Sequence, residues 1–193
     1  MPRPSRPSEL VPPGFGIGAA RPGDLTVVQR IEREAGVLFA QVGMQVVADD
    51  EPPTIEELET YRAAGSLWVA RTGDQPVGYA LADTVDGHGH LVQLSVLPSH
   101  GRRGLGRALC SQVEEWATAR GLGAVSLTTF TEVTWNAPYY QRLGYRPMTG
   151  DELGPQLRAI VATETDRGLW RWPRVCMIKP LRLDRDHEGD KLD

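Results

Sequence analysis

A glycine-rich turn at residues 101–106 is the strongest chemical signal in the chain. Its sequence, GRRGLG, follows a predicted strand and opens a predicted helix. Such a turn exposes backbone N–H groups at the positive end of the helix dipole, where an anion can approach without meeting side chains. The turn is a candidate phosphate site, and the alternative is an ordinary connection between a strand and a helix.

Two other phosphate-binding patterns do not fit this turn. A dinucleotide fold expects a third glycine where Leu109 stands, and an acidic residue about 20 positions later, where residues 128–129 are threonines. A P-loop expects Lys and then Ser or Thr after the last glycine, but Arg107 and Ala108 follow Gly106. Dinucleotide binding and nucleotide hydrolysis are therefore both disfavoured.

A family resemblance rests on this turn and on a second run. Residues 94–109, LSVLPSHGRRGLGRAL, resemble the acetyl-CoA motif of the GCN5-related N-acetyltransferases. Residues 136–145, NAPYYQRLGY, are similar to the family's later signature, an Asn followed by an aromatic–Tyr pair and Gly-Phe or Gly-Tyr. The runs occur in the family's order, with a predicted strand between them. The resemblance spans residues 17–181, although the first 60 residues and residues 150–172 match only in general layout.

The resemblance implies that acetyl-CoA is the cosubstrate, held without a metal. The turn would bind its phosphates, and a backbone N–H near the bulged end of the preceding strand would polarise the thioester carbonyl. The implied cofactor-binding residues are Leu94, Ser95, Val96, Gly101, Arg102, Arg103, Gly104, Leu105, Gly106, Arg107, Asn136 and Tyr140.

Some of these residues have a second interpretation. Gly101 stands where the family commonly has Gln or Arg, so that side-chain contact is absent, although its N–H is still expected to face a phosphate. Arg102, Arg103 and Arg107 either supply charge to the phosphates or are solvated surface residues. Asn136 either binds the pantetheine arm or caps the following helix.

For catalysis, the resemblance implies direct attack by an amine, without an acyl-enzyme. Tyr140, four residues before Gly144, would be the general acid that protonates the departing thiolate; the alternative is a core tyrosine. His90 falls where some family members place a glutamate base, and a neutral imidazole could serve there. His90 is otherwise a residue of the strand's surface.

The acceptor is expected to be an amine of a small molecule, a peptide or a protein. Trp170 and Trp172 either line its pocket, pack in the core or form a dimer contact, so a homodimer stays open. An alternative function from another class is a catalytically silent acyl-CoA-binding sensor or assembly module, which would not need Tyr140 as an acid.

The resemblance implies an α/β fold with a mixed, mostly antiparallel sheet of six or seven strands and helices on both faces, and the pattern of apolar residues predicts strands and helices that alternate along the chain. Strands are predicted at 17–20, 67–70, 77–81, 88–96, 124–129, 145–148 and 175–181. Helices are predicted at 25–42 after an Asp24 cap, at 54–65 from a capping box, and at 105–121, 137–143 and 155–167.

Composition sets the class of protein. The 193 residues with 40% hydrophobic side chains predict one domain at 16–181 between tails at 1–15 and 182–193. A net charge of -4 disfavours nucleic acid as a partner. The sequence contains no apolar run of about 20 residues, so no membrane span is predicted. Two distant cysteines, Cys110 and Cys176, form neither a metal motif nor a disulfide framework, and we expect them reduced in a cytoplasmic protein.

Overall fold

A computed structural model describes residues 10–183, apart from the side chain of Trp170. Most of the two predicted tails, residues 1–9 and 184–193, therefore lies outside the described residues. Pro12 and Phe15, from the end of the predicted N-terminal tail, contact Gly104 and the ring of His100, respectively. Within the described part of the chain, no helix is long and apolar enough to cross a membrane.

The described chain contains seven strands and six α-helices. The strands are β1 (Gly16–Ala19), β2 (Leu67–Thr72), β3 (Gln75–Val85), β4 (His88–Val96), β5 (Ala124–Phe130), β6 (Arg146–Pro147) and β7 (Arg174–Pro180). The helices are α1 (Leu25–Ala40), α2 (Gln45–Ala48), α3 (Ile55–Ala63), α4 (Leu105–Ala119), α5 (Ala137–Arg142) and α6 (Pro155–Asp166).

All seven strands form one sheet in the order β1-β2-β3-β4-β5-β7-β6. Only β4 and β5 run parallel, and every other neighbouring pair is antiparallel. This arrangement confirms the predicted mixed, mostly antiparallel sheet. A parallel pair needs a crossover between its strands, and here the crossover contains α4, the helix that follows the glycine-rich turn.

Two hydrophobic cores cover the two faces of the sheet. On one face, α4 packs Leu105, Leu109, Val113 and Trp116 against β3, β4 and β5. On the other face, Val28 and Ile31 of α1 and Leu58 of α3 pack against β2 and β3. The amphipathic spacing of α1 and α4 explains why each helix buries one stripe of side chains. Because helices cover both faces of the sheet, a ligand can reach the strands where two of them separate.

Local signals account for several helix ends. The predicted capping box of α3 is present, because Thr54 Oγ1 accepts from the Glu57 N–H at 3.2 Å and Glu57 accepts from the Thr54 N–H at 2.7 Å. The first helix ends at Ala40, two residues earlier than predicted, and the chain turns at Gly43 with a φ of 77° before a short helix that the sequence did not predict.

The predicted side-chain cap at Asp24 is wrong. Its carboxylate accepts from the Arg21 N–H and from Arg71 Nη2, both at 2.5 Å, and forms no bond to the first turn of α1. Both side chains of the Asp24–Arg71 ion pair are only 10% exposed. A buried carboxylate is stabilised more by a charged partner than by the N–H groups at a helix end.

Removing Asp24 should leave Arg71 buried without its counter-charge. We expect Asp24→Ala to lower the free energy of unfolding by about 3–5 kcal/mol, measured by denaturant unfolding. The matched control is Asp74→Ala, which breaks an exposed pair with Arg21 and should change stability little. An Asp24→Ala unfolding curve that overlays the wild type would contradict this assignment.

Candidate active site

A cleft opens between β4 and β5. These strands pair only at Gly89–Val125 and His90–Ser126, near the start of both strands. Beyond this point no pairing continues between them, although β4 extends to Val96 and β5 to Phe130. The two strands therefore separate toward their carboxyl ends, and α4 begins at the same end of the sheet.

The edge of β4 that faces the cleft presents unpaired backbone groups. The Leu97 N–H donates to Val77 of β3 at 2.9 Å, and antiparallel pairs alternate in the direction of their hydrogen bonds. Ser95 therefore points its backbone groups toward β3, while the N–H groups of Leu94 and Val96 point toward the cleft. A bulge in β4, opposite Leu81 and Ala82, precedes this segment.

The glycine-rich turn forms a nest of N–H groups at the start of α4. Within residues 10–183, no hydrogen-bond acceptor is found for the six consecutive N–H groups of residues 102–107. Gly104 adopts the left-handed conformation with a φ of 86°, and Arg102 has a φ of 59°. Successive N–H groups in such a turn converge on one side, and the helix dipole adds positive potential there. The nest fits a phosphate.

The predicted role of the Gly101 N–H needs a correction. This group donates to the Pro98 carbonyl at 3.2 Å, inside the short 3-10 turn that follows β4. It is therefore not a free donor for a phosphate. Arg102, Arg103 and Arg107 are exposed around the nest, where their charge can reach an anion.

A pocket of about 300 Å³ lies beside the nest, between α4 and the segment that contains α5. It is lined by Leu10, Arg107, Cys110, Ser111, Glu114, Arg142, Leu143 and Lys179. Arg142 was not a candidate in the sequence, because an arginine on a short helix resembles a solvated surface residue. Its place opposite Arg107 gives the pocket two guanidinium groups.

Tyr139 and Tyr140 of α5 occupy different positions next to α4. The ring of Tyr140 lies between those of Tyr139 and Tyr145, with centroids 5.5 Å and 5.7 Å away. Its side chain is partly exposed, and among the described residues its hydroxyl has no hydrogen-bond partner. Burial raises the pKa of Tyr140 well above its usual value. The Tyr139 hydroxyl lies against the α-carbon of Gly106 rather than in the core.

Asn136 stands at the first position before α5. Its carbonyl accepts from the N–H groups of Tyr139 and Tyr140 at 2.8 Å and 3.0 Å, but its side chain forms no capping bond. The interpretation of Asn136 as a side-chain cap is therefore not supported, and its amide remains available to a ligand.

His90 lies at the closed end of the cleft. It is 4% exposed, and its Nδ1 is 3.0 Å from Ser126 Oγ on β5. Burial lowers the pKa of His90 to about 4, because the imidazolium would lose its hydration. An imidazole with so low a pKa and so little exposure is a poor acceptor for an ammonium proton, which argues against the predicted general-base role.

The same burial makes stability depend on pH. The unfolded chain has the ordinary histidine pKa near 6.5 and so binds more protons than the folded chain between about pH 6.5 and pH 4. We expect the free energy of unfolding to fall as pH is lowered through this window, by up to about 3 kcal/mol from His90. His90→Gln, compared with the wild type at each pH and referenced to pH 8, should remove this part of the decline. Parallel curves for the two proteins would contradict the assignment.

A hydrogen-bonded carboxylate lies on the opposite side of β4 from α4. Glu32 of α1 accepts from Tyr79, Ser95 and Gln93, each at 2.6 Å. Sequence reasoning missed Glu32, because an acidic residue between two arginines on an amphipathic helix resembles a solvated face. Nothing local in the sequence indicates that it reaches β3 and β4.

An aromatic cluster closes the far end of this side of the cleft. Phe39 of α1 contacts Phe130 and Trp135, with ring centroids 5.7 Å and 5.8 Å away, and Phe130 contacts Trp172. The contact supports a packing role for Trp172, and the side chain of Trp170 lies outside the described residues. We call Phe39, Phe130, Trp135 and Trp172 the aromatic cluster.

Comparison with known proteins assigns the class. A model of the acetyltransferase (GNAT) family matches residues 33–145. The fold is similar to the ribosomal-protein-S18-alanine N-acetyltransferase from Escherichia coli, with a TM-score of 0.61 and 16% identity over 93% of this chain and 99% of that chain. It is also similar to the PaiA N-acetyltransferase from Thermoplasma acidophilum in complex with coenzyme A, with a TM-score of 0.62 and 12% identity over 86% and 98% of the chains.

A GNAT-family acetyltransferase from Staphylococcus aureus Mu50 gives a TM-score of 0.64 at 15% identity, over 87% of this chain and 99% of that chain. The chain belongs to the GCN5-related N-acetyltransferase family. Membership, which the two sequence motifs predicted, supports an acyl-CoA-dependent acyltransferase activity in general. It leaves the acceptor and the roles of single residues to be argued from this chain's own geometry.

Proposed function

We propose that the protein transfers an acetyl group from acetyl-CoA to an amine inside the β4–β5 cleft. The observation that carries this proposal is the nest of N–H groups at residues 102–107, which lies at the mouth of the cleft. Acetyl-CoA supplies a phosphate-bearing end and a thioester, and the cleft offers matching groups for both.

The nest and its arginines hold the phosphates. Unpaired N–H groups at a helix start bind anions through direct donation and through the dipole, and Arg107 and Arg142 add two charged side chains in the adjacent pocket. In this proposal the side-chain amide of Asn136, which forms no capping bond, hydrogen-bonds the pantetheine arm. The residues present therefore fit acetyl-CoA.

Backbone N–H groups at the cleft edge of β4 polarise the thioester carbonyl in this proposal. The N–H groups of Leu94 and Val96 point into the cleft without a strand partner. Donors that are already oriented stabilise negative charge as it develops on the carbonyl oxygen, without reorganisation at the moment of reaction. In this scheme Ser95 contributes by pairing with β3, which directs the N–H groups of Leu94 and Val96 on either side of it toward the cleft.

Tyr140 donates the proton to the leaving group. The ammonium form of the amine loses its proton to solvent before the nitrogen attacks. Its nitrogen forms a bond to the carbonyl carbon, and the electron pair of the C–S bond leaves on sulfur. Tyr140 protonates the sulfur, and the proton that the nitrogen sheds returns to Tyr140 through water.

The raised pKa of Tyr140 is compatible with this role. It keeps the phenol protonated at neutral and mildly alkaline pH.

The test of the proposal has two parts. Calorimetry with CoA should show binding to the full chain, and incubation with acetyl-CoA and a panel of primary amines should release free thiol above the hydrolysis background. Binding without amine-dependent thiol release would favour the silent sensor. Absence of CoA binding would overturn the proposed function itself.

A further inference from the structure

The stripe of α1 that faces the open end of the cleft contains an unusual order of side chains. Val28, Glu32, Ala35 and Phe39 follow one another at spacings of four, three and four, so they share one face of the helix. Val28 is fully buried against β3, Glu32 bonds to β3 and β4, and Phe39 packs on Phe130 of β5. Helix α1 therefore crosses the cleft from the β4 side to the β5 side.

Ala35 is the smallest side chain of this stripe. It is half-buried and stands between Glu32 on one arm of the cleft and Phe39 on the other. Glu32 and Phe39 are seven positions apart in the helix, a distance of about 10 Å along the axis. A methyl group is the only side chain between them on this face.

The Glu32 carboxylate can accept one more hydrogen bond. It lies beside the position proposed for the reacting thioester. Its Oε2 accepts from Tyr79 and Ser95, whereas its Oε1 accepts only from Gln93 among the described residues. A carboxylate has about four acceptor sites, so one on Oε1 remains. Gln93 and Ser95 flank Leu94, whose N–H faces the cleft, and the carboxylate thus lies next to the position of the thioester carbonyl.

We propose that Glu32 binds the protonated amine of the acceptor, and that the acceptor is a small primary amine whose apolar or aromatic body lies over Ala35 toward the aromatic cluster. This inference rests on the proposed function. The ammonium donates to Glu32 Oε1, which orients the nitrogen toward the acyl carbon before the proton leaves to solvent. Glu32 is thereby an acceptor-binding residue, and the small side chain of Ala35 sets the width of the site.

The probe for this inference is 2-phenylethylamine, which combines a primary amine with an aromatic ring. Glu32→Gln keeps the shape of the side chain but removes its charge and replaces one acceptor oxygen with an NH2 donor. We expect the KM for 2-phenylethylamine to rise about tenfold to a hundredfold, as for a lost hydrogen bond to a charged group. The KM for acetyl-CoA should stay unchanged, and Glu32→Asp should recover part of the loss.

A second variant tests the space rather than the charge. Ala35→Leu leaves Glu32 intact and adds bulk beside it, so it should also raise the KM for the amine. The matched control is Glu34→Gln on the exposed side of the same helix, where Glu34 pairs with Arg30. This control should behave as the wild type with both substrates.

The outcomes separate this inference from the proposed function. If the wild type binds CoA but does not acetylate 2-phenylethylamine above the hydrolysis background, the inferred acceptor class is overturned and the proposed transferase stands. If Ala35→Leu leaves the KM for the amine unchanged, the acceptor does not lie over Ala35, and if Glu32→Gln alters both KM values equally, Glu32 has only a structural role. Either result overturns the inference. Absence of CoA binding in the wild type would overturn the proposed function.

Discussion

Replacing Tyr140 with phenylalanine should slow acetyl transfer by about 10²–10⁴-fold, the usual contribution of a positioned proton donor. The variant should fold as the wild type does, because the Tyr140 hydroxyl has no hydrogen-bond partner among residues 10–183 whose loss would destabilise the chain. Affinity for CoA should also be retained. Single-turnover mixing of the acetyl-CoA complex with a competent amine measures the chemical step directly.

The matched control for this experiment is Tyr139→Phe, one residue away on the same helix. The Tyr139 hydroxyl rests on Gly106 rather than lining the core with Tyr140, so its removal should have a much smaller effect on the rate. Equal rates for Tyr140→Phe and the wild type, with chemistry rate-limiting, would exclude Tyr140 as the essential acid. Equal losses in the two variants would show that the effect is not specific to Tyr140.

Placing a carboxylate in the nest should abolish tight cofactor binding. In Gly104→Asp a negative charge would face the phosphates, and two unit charges about 4 Å apart repel by about 4 kcal/mol near a protein surface. We expect the Kd for CoA to rise roughly 10²–10³-fold, measured by calorimetry. Gly106→Asp should act similarly, since it also crowds the Tyr139 hydroxyl.

The control for Gly104→Asp is Gly104→Asn. Gly104 has a φ of 86°, and Asn tolerates this left-handed region about as well as Asp. The two variants therefore share the backbone strain and differ in charge. A clearly weaker effect of Asn isolates the electrostatic part, whereas a wild-type Kd in Gly104→Asp would remove the nest from the binding site.

The parts of the site that the sequence predicts are those built from consecutive residues. The nest needs only residues 102–107, and its sequence specifies both the turn and the helix start. The pattern of apolar residues predicts strand β4, and the helical spacing after the turn predicts α4. Local patterns of this kind depend on contacts within a few residues of one another.

The acceptor side could not be predicted in the same way. Glu32 meets Gln93 and Ser95 across 61 and 63 residues of chain, and the aromatic cluster joins residues from three separate segments. For His90 the alternating pattern of residues predicts a strand, but it does not show that pairing with Ser126 buries the side chain. Burial and long-range partners decide the chemistry of these residues, and the sequence pattern encodes neither.

The most direct test of the transferase is the fate of a labelled acetyl group. The full chain is loaded with acetyl-CoA labelled in the acetyl group and mixed with 2-phenylethylamine and, separately, with other primary amines. We expect the label to appear in an amide product at a rate that depends on amine concentration and falls in Tyr140→Phe. Label that stays on CoA, or leaves only as acetate, for every amine while CoA binds at residues 102–107 would exclude the transferase and favour a silent acyl-CoA-binding protein.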